Sequence, residues 1–386
     1  MFPLRDDAFV CPPPTPSQVA HYTQLGETTL DQFLESTLTK PSATSWDHVA
    51  TYDSVALYKG AVSMNPDSTV VPYRAVTTAR ATIEEIAYIH SFETRAQCAH
   101  FTKHYAEDIL DMFTLYSFVP RTKQDPFKQV YLKWTACASP MAAVSNRDFT
   151  YLECQDAIET PAGRRAWAFC QVSVNLPYLP SLEASPLALV RGQLLRTGCV
   201  FVETATPGVL NVIYHICVDF KGHIPGWTYK LGMKTRALSV LHIEKNVTRL
   251  RLSAQQMRAK AAATKLPRPG VHCSVCTKPF RFHRVHHCRS CAKVVCSKCS
   301  QKYKLPSMDD DLVRVCVRCS EAVRSGPASN LVVSGYSTPH SDASSEPWWT
   351  TELMTPPPMT PVATPRATPK ASPKVDLSYL STFGPK

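Results

Sequence analysis

The sequence predicts an α+β chain: a domain built on a curved antiparallel sheet with a long C-terminal helix, then a small two-metal cross-brace finger, then a disordered tail. Three observations carry this. Apolar residues alternate with period two in several segments between about residues 28 and 260, and that stretch ends in an unbroken helical stripe. Eight of the fifteen cysteines form four CxxC pairs between Cys273 and Cys319. Beyond Gly326 the composition turns to Pro, Ser and Thr with few large apolar residues.

Residues 1–27 read as a proline-containing leading segment whose acidic residues and proline run do not make a signal peptide. The main domain is expected over 28–262. A short amphipathic piece at Leu30–Glu35 opens it, and strand candidates follow Trp46-Asp47 from Tyr52 to Val71. From Ala81 to Tyr116 the residues Ile83, Ile86, Ile89, Phe101, Tyr105, Ile109 and Phe113 keep near-helical spacing, which predicts helix. Alternation at Val130, Leu132 and Trp134, and at Val212, Tyr214, Ile216 and Val218, predicts strands. Further strands are expected at Phe149–Cys154, Arg165–Val174 and Gln193–Thr204. The last element, Trp227 to Lys260, carries one stripe of Val240, Ile243, Val247, Leu250, Ala254 and Met257. A curved antiparallel sheet closed by such a helix is a helix-grip layout, which encloses an apolar pocket.

A net charge of +11 favours acidic partners, an anionic membrane or nucleic acid. No groove-reading helix or aromatic platform accompanies the basic residues, so nucleic acid is not expected. No stretch reaches the roughly 20 apolar residues of a membrane span. His215 has no nucleophile or carboxylate tied to it by motif, so the chain reads as a binder and not as an enzyme. The other seven cysteines are scattered singly among apolar residues, as buried thiols are in a reducing, cytoplasmic setting.

Zinc explains the four pairs, because a tetrahedral site takes four thiolates and each CxxC turn supplies two. Cys273 and Cys276, Cys288 and Cys291, Cys296 and Cys299, and Cys316 and Cys319 are therefore the expected ligands of two ions. The short gap between the second and third pairs predicts interleaving, with pairs one and three on one ion and pairs two and four on the other.

Two resemblances add to these readings. Ser145–Leu152, with its Arg147-Asp148-aromatic start, and Val218–Trp227 resemble the strand entry and final-helix turn of START lipid-transfer domains. The resemblance implies that one hydrophobic lipid binds, and is held or transferred, under the terminal helix. Arg147 and Asp148 themselves read as a structural pair. Leu176–Leu182 is apolar where a loop should be polar, which suits either a gate dipping into a bilayer or a loop packed on its own domain.

Residues 268–322 resemble the FYVE finger through Arg284-Val285-His286-His287-Cys288-Arg289-Ser290-Cys291-Ala292 and Arg314-Val315-Cys316. That resemblance implies that Arg284, His286, His287, Arg289 and Arg314 hold the headgroup of phosphatidylinositol 3-phosphate, and that Phe282 enters the bilayer. Guanidinium forks suit bidentate phosphate contact. If the two histidines bind as imidazolium, binding strengthens as pH falls through roughly 6.5. Departures from the pattern matter: Thr264–Pro267 stands where a WxxD element should be, Val285 replaces an arginine, and Ala292 replaces a glycine. Each lost charged contact costs about 1.5–3 kcal/mol, which weakens affinity and blurs isomer choice.

The sequence thus predicts a peripheral protein of endosomal phosphoinositide membranes with a lipid-binding domain. The rivals are an adaptor without cargo and a RING-type ubiquitin ligase, which shares the cross-brace but normally uses a histidine ligand. In the tail, 323–386, repeated Thr-Pro at Thr338, Thr355, Thr360, Thr364 and Thr368, with Ser372-Pro373, suits either a proline-directed kinase or a plain linker.

Overall fold

A computed structural model describes residues 2–38, 45–61, 70–261, 271–280, 284–306 and 312–325. Helix α1 (Pro16–Leu38) precedes strands β1 (Trp46–Tyr52), β2 (Val55–Gly60) and β3 (Tyr73–Ala79). Helices α2 (Ile83–Ile89) and α3 (Arg95–His104) follow, then strands β4 (Ile109–Val119), β5 (Gln129–Cys137), β6 (Arg147–Glu159) and β7 (Arg165–Ser173). After the short β8 (Val190–Arg191) and β9 (Gln193–Leu194) come β10 (Thr197–Glu203), β11 (Leu210–Ile216) and β12 (Val218–Asp219). The main sheet runs β1-β2-β3-β11-β10-β7-β6-β5-β4, antiparallel along this path, with β8 adding to β6 in parallel.

The central strands are buried on both faces, and alternation decides which side chain goes where. Val130, Leu132, Trp134 and Ala136 of β5 pack with Leu30 and Phe33 of α1 on one face. Phe149, Tyr151, Trp167, Phe169, Phe201 and Tyr214 fill the other with Met233 and Ala237. At Gly198 a Cβ would stand 2.3 Å from the Phe169 carbonyl oxygen and 3.0 Å from Phe33, so glycine is what lets α1 and β10 approach.

Capping boxes fix the two short helices. In each, a threonine side chain accepts the amide of the residue three further on, and that residue's own side chain reaches back to the threonine amide: Thr82 with Glu85 for α2, Thr94 with Gln97 for α3. From α3, Arg95 binds Asp111 at 2.5 Å and the Leu4 carbonyl at 2.9 Å, while the Leu4 amide donates to Asp111 at 2.6 Å. Leu4 and Ala8 are buried as a result, so part of the leading segment belongs to the core.

Several sequence expectations change. Residues Ile109–Val119 form edge strand β4, because the run ILDMFTLYSFV pairs with β5 and its spacing only imitates a helix. The amphipathic piece expected at Leu30–Glu35 is the end of a helix that begins at Pro16. Arg147 and Asp148 do not pair with each other: Arg147 donates to the Phe220 and Lys221 carbonyls at 3.1 and 3.2 Å, and Asp148 accepts from Trp134 at 2.7 Å and Arg191 at 2.8 Å. Leu176, Leu179 and Leu182 are buried against the sheet, which decides for a loop packed on its own domain.

The expected single terminal helix is two helices, α4 (Gly226–Leu238) and α5 (His242–Ala261), joined by a 3-10 turn at Ser239–Leu241. The break gives each half a different partner. Helix α4 packs on β3 and β11. Helix α5 is shared: Val247 and Leu250 belong to the main core, whereas Leu252 enters the core of the finger beside Cys273, Phe280, Val315 and Val323.

In the finger, strands β13 (His286–His287) and β14 (Val294–Val295) pair, as do β15 (Ser300–Lys304) and β16 (Leu312–Cys316), before helix α6 (Val317–Ser325). Arg251, with 2% of its side chain exposed, binds both Glu85 oxygens at 2.6 and 2.8 Å and the Val323 carbonyl of α6 at 3.1 Å. Arg249 donates to the Lys304 carbonyl at 2.7 Å and to the His104 carbonyl. The tail beyond residue 325, with its Thr-Pro repeats, lies outside the described residues.

Removing Arg251 strands the Glu85 carboxylate in a buried site. We predict that Arg251→Met costs about 3–5 kcal/mol, read by equilibrium urea unfolding of the whole chain. A loss below about 1 kcal/mol would show that the pair is dispensable to the joint.

Candidate functional site

Two groups of residues converge on sites. The first surrounds a cavity of about 280 Å³ between the inner face of the sheet and α4. Phe92, Phe149, Phe169, Ile216 and Phe220 give it apolar walls. Its polar atoms are few and mostly paired. Arg236 binds Asp108 at 2.6 Å, and the Thr135 and Tyr151 hydroxyls lie 3.0 Å apart. At one wall Glu153 accepts from Lys133 at 2.8 Å, Gln155 at 2.7 Å and Gln171 at 2.5 Å, with Lys133 fully buried. Burial pushes the Glu153 carboxyl up, but Lys133 and the two amides outweigh it and hold it below the usual range, so it stays ionised.

His90, also on this wall, has its pKa pushed down to about 4 by burial. Its Nδ1 donates to the Ile86 carbonyl at 2.9 Å, which leaves the neutral Nε2 as an acceptor. The Thr228 hydroxyl lines the cavity, is buried, and has no partner among the described residues. His215 faces elsewhere, against Phe33 and Trp46, with its Nδ1 unpartnered and its pKa pushed by burial to about 3.

The second site is the finger. Cys273, Cys276, Cys296 and Cys299 form one group and Cys288, Cys291, Cys316 and Cys319 the other, with sulfurs within 4.8 Å of one another in each. This is the interleaved arrangement. The first two pairs sit on matching knuckles: Thr277 and Ala292 donate to the Cys273 and Cys288 carbonyls at 2.8 Å, and Cys273 and Cys288 donate to Lys278 and Lys293 at 2.9 Å. Backbone amides point at the sulfurs, Cys296 to Cys273 at 3.4 Å and Cys316 to Cys288 at 3.3 Å. Amides aimed at crowded sulfurs favour thiolates, so the donor set fits two zinc ions.

Both knuckles need a left-handed residue after the second cysteine, and both use a side chain there: Thr277 at φ 58° and Ala292 at φ 59°. The glycine that Ala292 replaces has its reason here.

The basic residues are placed as follows. His286 lies on β13, where burial, then Arg314, Arg284 and Lys302, lower its pKa. These cations thus lie near enough to His286 to oppose its proton, which it takes only at lower pH unless an anion enters. Lys302 stands opposite Arg314 in the β15–β16 register and escaped the sequence reading, because no motif marks it. Arg314 also donates to Ser300 at 2.9 Å. Exposed Arg289 is tied by its amide to the Arg314 carbonyl at 2.8 Å. Alternation puts His287 on the opposite side of the strand from His286, with Nδ1 3.5 Å from the Ala292 carbonyl. Phe280 is buried in the finger, while Phe282 lies outside the described residues, as does the Thr264–Pro267 stretch.

Residues 269–325 match the family model of the FYVE zinc finger. Among known proteins, an uncharacterised protein of Caenorhabditis elegans is 33% identical over 139 residues, covering 31% of this chain and 52% of its own. Mouse FYVE, RhoGEF and PH domain-containing protein 6 is 43% identical over 54 residues, 14% of this chain and 4% of its own. The chain thus spans about half the length of the first relative and far less of the second. Among solved structures, human StAR-related lipid transfer protein 5 resembles it with a TM-score of 0.42 at 16% identity, over 57% of this chain and 92% of the other. Human STARD10 gives 0.37 at 16% identity, over 60% and 81%. The chain therefore carries a finger that matches the FYVE model, with two cysteine tetrads positioned for two zinc ions, behind a domain built on an antiparallel sheet. Neither tetrad includes the histidine that the RING reading would require.

We predict that Ala292→Gly stabilises the chain by about 1 kcal/mol by relieving the left-handed backbone, read as a higher unfolding midpoint in zinc-saturated protein. A lower midpoint would mean that the methyl group is a net gain.

Proposed function

We propose that this is a peripheral membrane protein whose finger docks on phosphoinositide-bearing endosomal membranes while the domain ahead of it binds, and passes on, one hydrophobic lipid. The observation that carries the reading is a largely apolar cavity under α4, with the finger fastened to the next helix along.

The cavity suits a mainly apolar molecule with a small polar group. Its walls offer apolar area worth about 25 cal/mol for each Å² taken from water. The Thr228 hydroxyl, unpartnered among the described residues, and the Nε2 of neutral His90 can each take one hydrogen bond. That profile favours a lipid with a hydroxyl or amide over one with a charged headgroup inside the cavity.

In the finger, Arg284, His286 and Arg314 are the residues assigned to phosphate, with Arg289 at the rim. Lys302, opposite Arg314 and near enough to His286 to oppose its proton, adds a cation to the cluster. Zinc bound to the tetrads would fix β13 and the start of α6, and so hold these side chains in place. His287, on the other side of β13 from His286, is assigned to the phosphate only through the resemblance of its motif. The tail, with its Thr-Pro repeats, remains a proposed substrate of a proline-directed kinase.

Flotation with vesicles carrying each phosphoinositide in turn tests the finger. Selective binding to the 3-phosphate is expected, reduced at least tenfold by the pair Arg284→Ala and Arg289→Ala. Equal binding to every anionic vesicle would reduce the finger to a general electrostatic anchor. Mass spectrometry of lipid extracted from the purified chain tests the cavity. A stoichiometric hydroxyl- or amide-bearing lipid is expected, and failure of delipidated protein to take up any lipid would leave an adaptor without cargo.

A further inference from the structure

Two short helices touch both the lipid cavity and the joint to the finger. Helix α2 has 7 residues and α3 has 10, fewer than the roughly 12–15 that a helix needs to persist alone, so each depends on what its ends touch. In the first turn of α2, Glu85 holds Arg251, and at the other end His90, the C-cap residue, lines the cavity. In α3, Phe101 lines the cavity, and one turn further on the His104 carbonyl accepts from Arg249. The Tyr105 carbonyl, just past that helix, accepts from Asn246 of α5 at 3.2 Å.

At the helical rise per residue, wall and joint lie only about 8 Å apart along α2 and about 5 Å apart along α3. The two helices also meet at the wall, where the Phe101 ring stands 4.7 Å from Phe92 and 6.0 Å from His90. Beyond the joint the same arginines hold the finger. Arg251 takes the Val323 and Arg324 carbonyls of α6 at 3.1 and 3.3 Å, and Arg249 takes the Lys304 carbonyl of β15 at 2.7 Å. Among the described residues no part of the finger lines the cavity, so any influence between them crosses this joint. The ion pair of Glu84 with Arg165 at 2.7 Å also ties α2 to the sheet, but it is open to water and therefore weak.

We propose that α2 and α3 couple the two parts of the chain: a lipid in the cavity fastens the finger, and a fastened finger tightens the cavity's hold on the lipid. An occupant packs against His90, Phe92 and Phe101 and stabilises the cavity ends of both helices through many contacts that are individually small. Neither helix is long enough to keep one end ordered while the other frays, so the same gain reaches Glu85 and the His104 and Tyr105 carbonyls. These are the groups that Arg251, Arg249 and Asn246 of α5 require. Coupling between two sites is reciprocal, so the two effects are equal in size. A loaded chain then brings an already oriented finger to a membrane, with less freedom to lose on binding.

The coupling rests on the lipid-binding reading of the cavity but not on which headgroup the finger reads, and the test separates the two. Delipidated, zinc-saturated full chain is incubated with vesicles of phosphatidylcholine, ceramide and cholesterol and then freed of them. Part is extracted for mass spectrometry, and the rest is followed by amide hydrogen exchange. Loading should slow exchange in α6 and β15 at least about fivefold. Two variants weaken the joint without touching the cavity: Glu85→Gln, which keeps the capping box but gives Arg251 a neutral partner, and the milder Asn246→Ala. Both should still load lipid, with the gain in α6 and β15 cut to less than about twofold in Glu85→Gln and reduced in Asn246→Ala. If Glu85→Gln does not fold, Asn246→Ala decides alone. Loading that leaves α6 and β15 unchanged, or that protects them equally in the natural chain and the variants, overturns the coupling and leaves the lipid reading standing. Absence of lipid from the extract overturns both.

Discussion

Arg251 is the contact on which the rest of the arrangement depends. Its guanidinium satisfies a carboxylate that is already employed, since Glu85 caps the first turn of α2, and its remaining N–H groups take carbonyls at the C-terminal end of α6. Each partner explains another. A buried arginine is tolerable only with its charge matched and its donors filled. The end of α6, where carbonyls lack intrahelical donors, is where a cation is favoured. Because α6 begins immediately after Cys316 and includes Cys319, the tetrad that holds its first turn also steadies the carbonyls at its far end. One side chain therefore joins α2 of the sheet domain to α6 of the finger.

The cavity exists because the sheet is covered on both sides. On its outer face α1 and the leading segment seal Trp134 and its neighbours, and Arg95 secures the seal by holding Asp111 and the Leu4 carbonyl. On its inner face the side chains are large but do not meet α4 everywhere, and the gap is the cavity. The ion pair of Lys133 and Glu153 is an unusual wall for such a space. Its desolvation cost is offset by two amide donors and by the Phe92 ring, which lies 3.7 Å beneath the ammonium. That wall is internally neutral, so an apolar ligand meets no uncompensated charge there.

What the sequence disclosed follows the range of the forces involved. Cysteine spacing is a local property imposed by metal geometry, so both tetrads and their interleaving were legible. Strands β5 and β11 were legible from alternation. The edge strand β4 was not, because a half-buried strand with bulges at Ile109/Asp111 and Thr114/Tyr116 loses strict alternation and leaves apolar residues at helix-like intervals. The two capping boxes stood in plain view as Thr82-x-x-Glu85 and Thr94-x-x-Gln97. What Glu85 does beyond capping was hidden, since its partner lies 166 residues away. Likewise Lys302 reaches the basic cluster only through the β15–β16 register, and the break between α4 and α5 is set by which core each half must enter. Trp227 was noticed as a motif residue, and only burial reveals that it faces water.

The joint also bears on how a finger with missing contacts can suffice. Had the finger hung on a long flexible linker, its second encounter with the membrane would be governed by an effective concentration that falls as linker length grows. Here α5 passes from one core into the other, and Arg249 and Arg251 hold carbonyls on both sides. Little conformational freedom is then left to lose when both parts of the chain meet one bilayer, so each contact adds more of its own free energy to the total. The cost is orientation. A fixed joint helps only if the basic cluster near Arg314 and the domain ahead of the finger can reach one surface together. If they cannot, the same rigidity makes the two contacts exclusive.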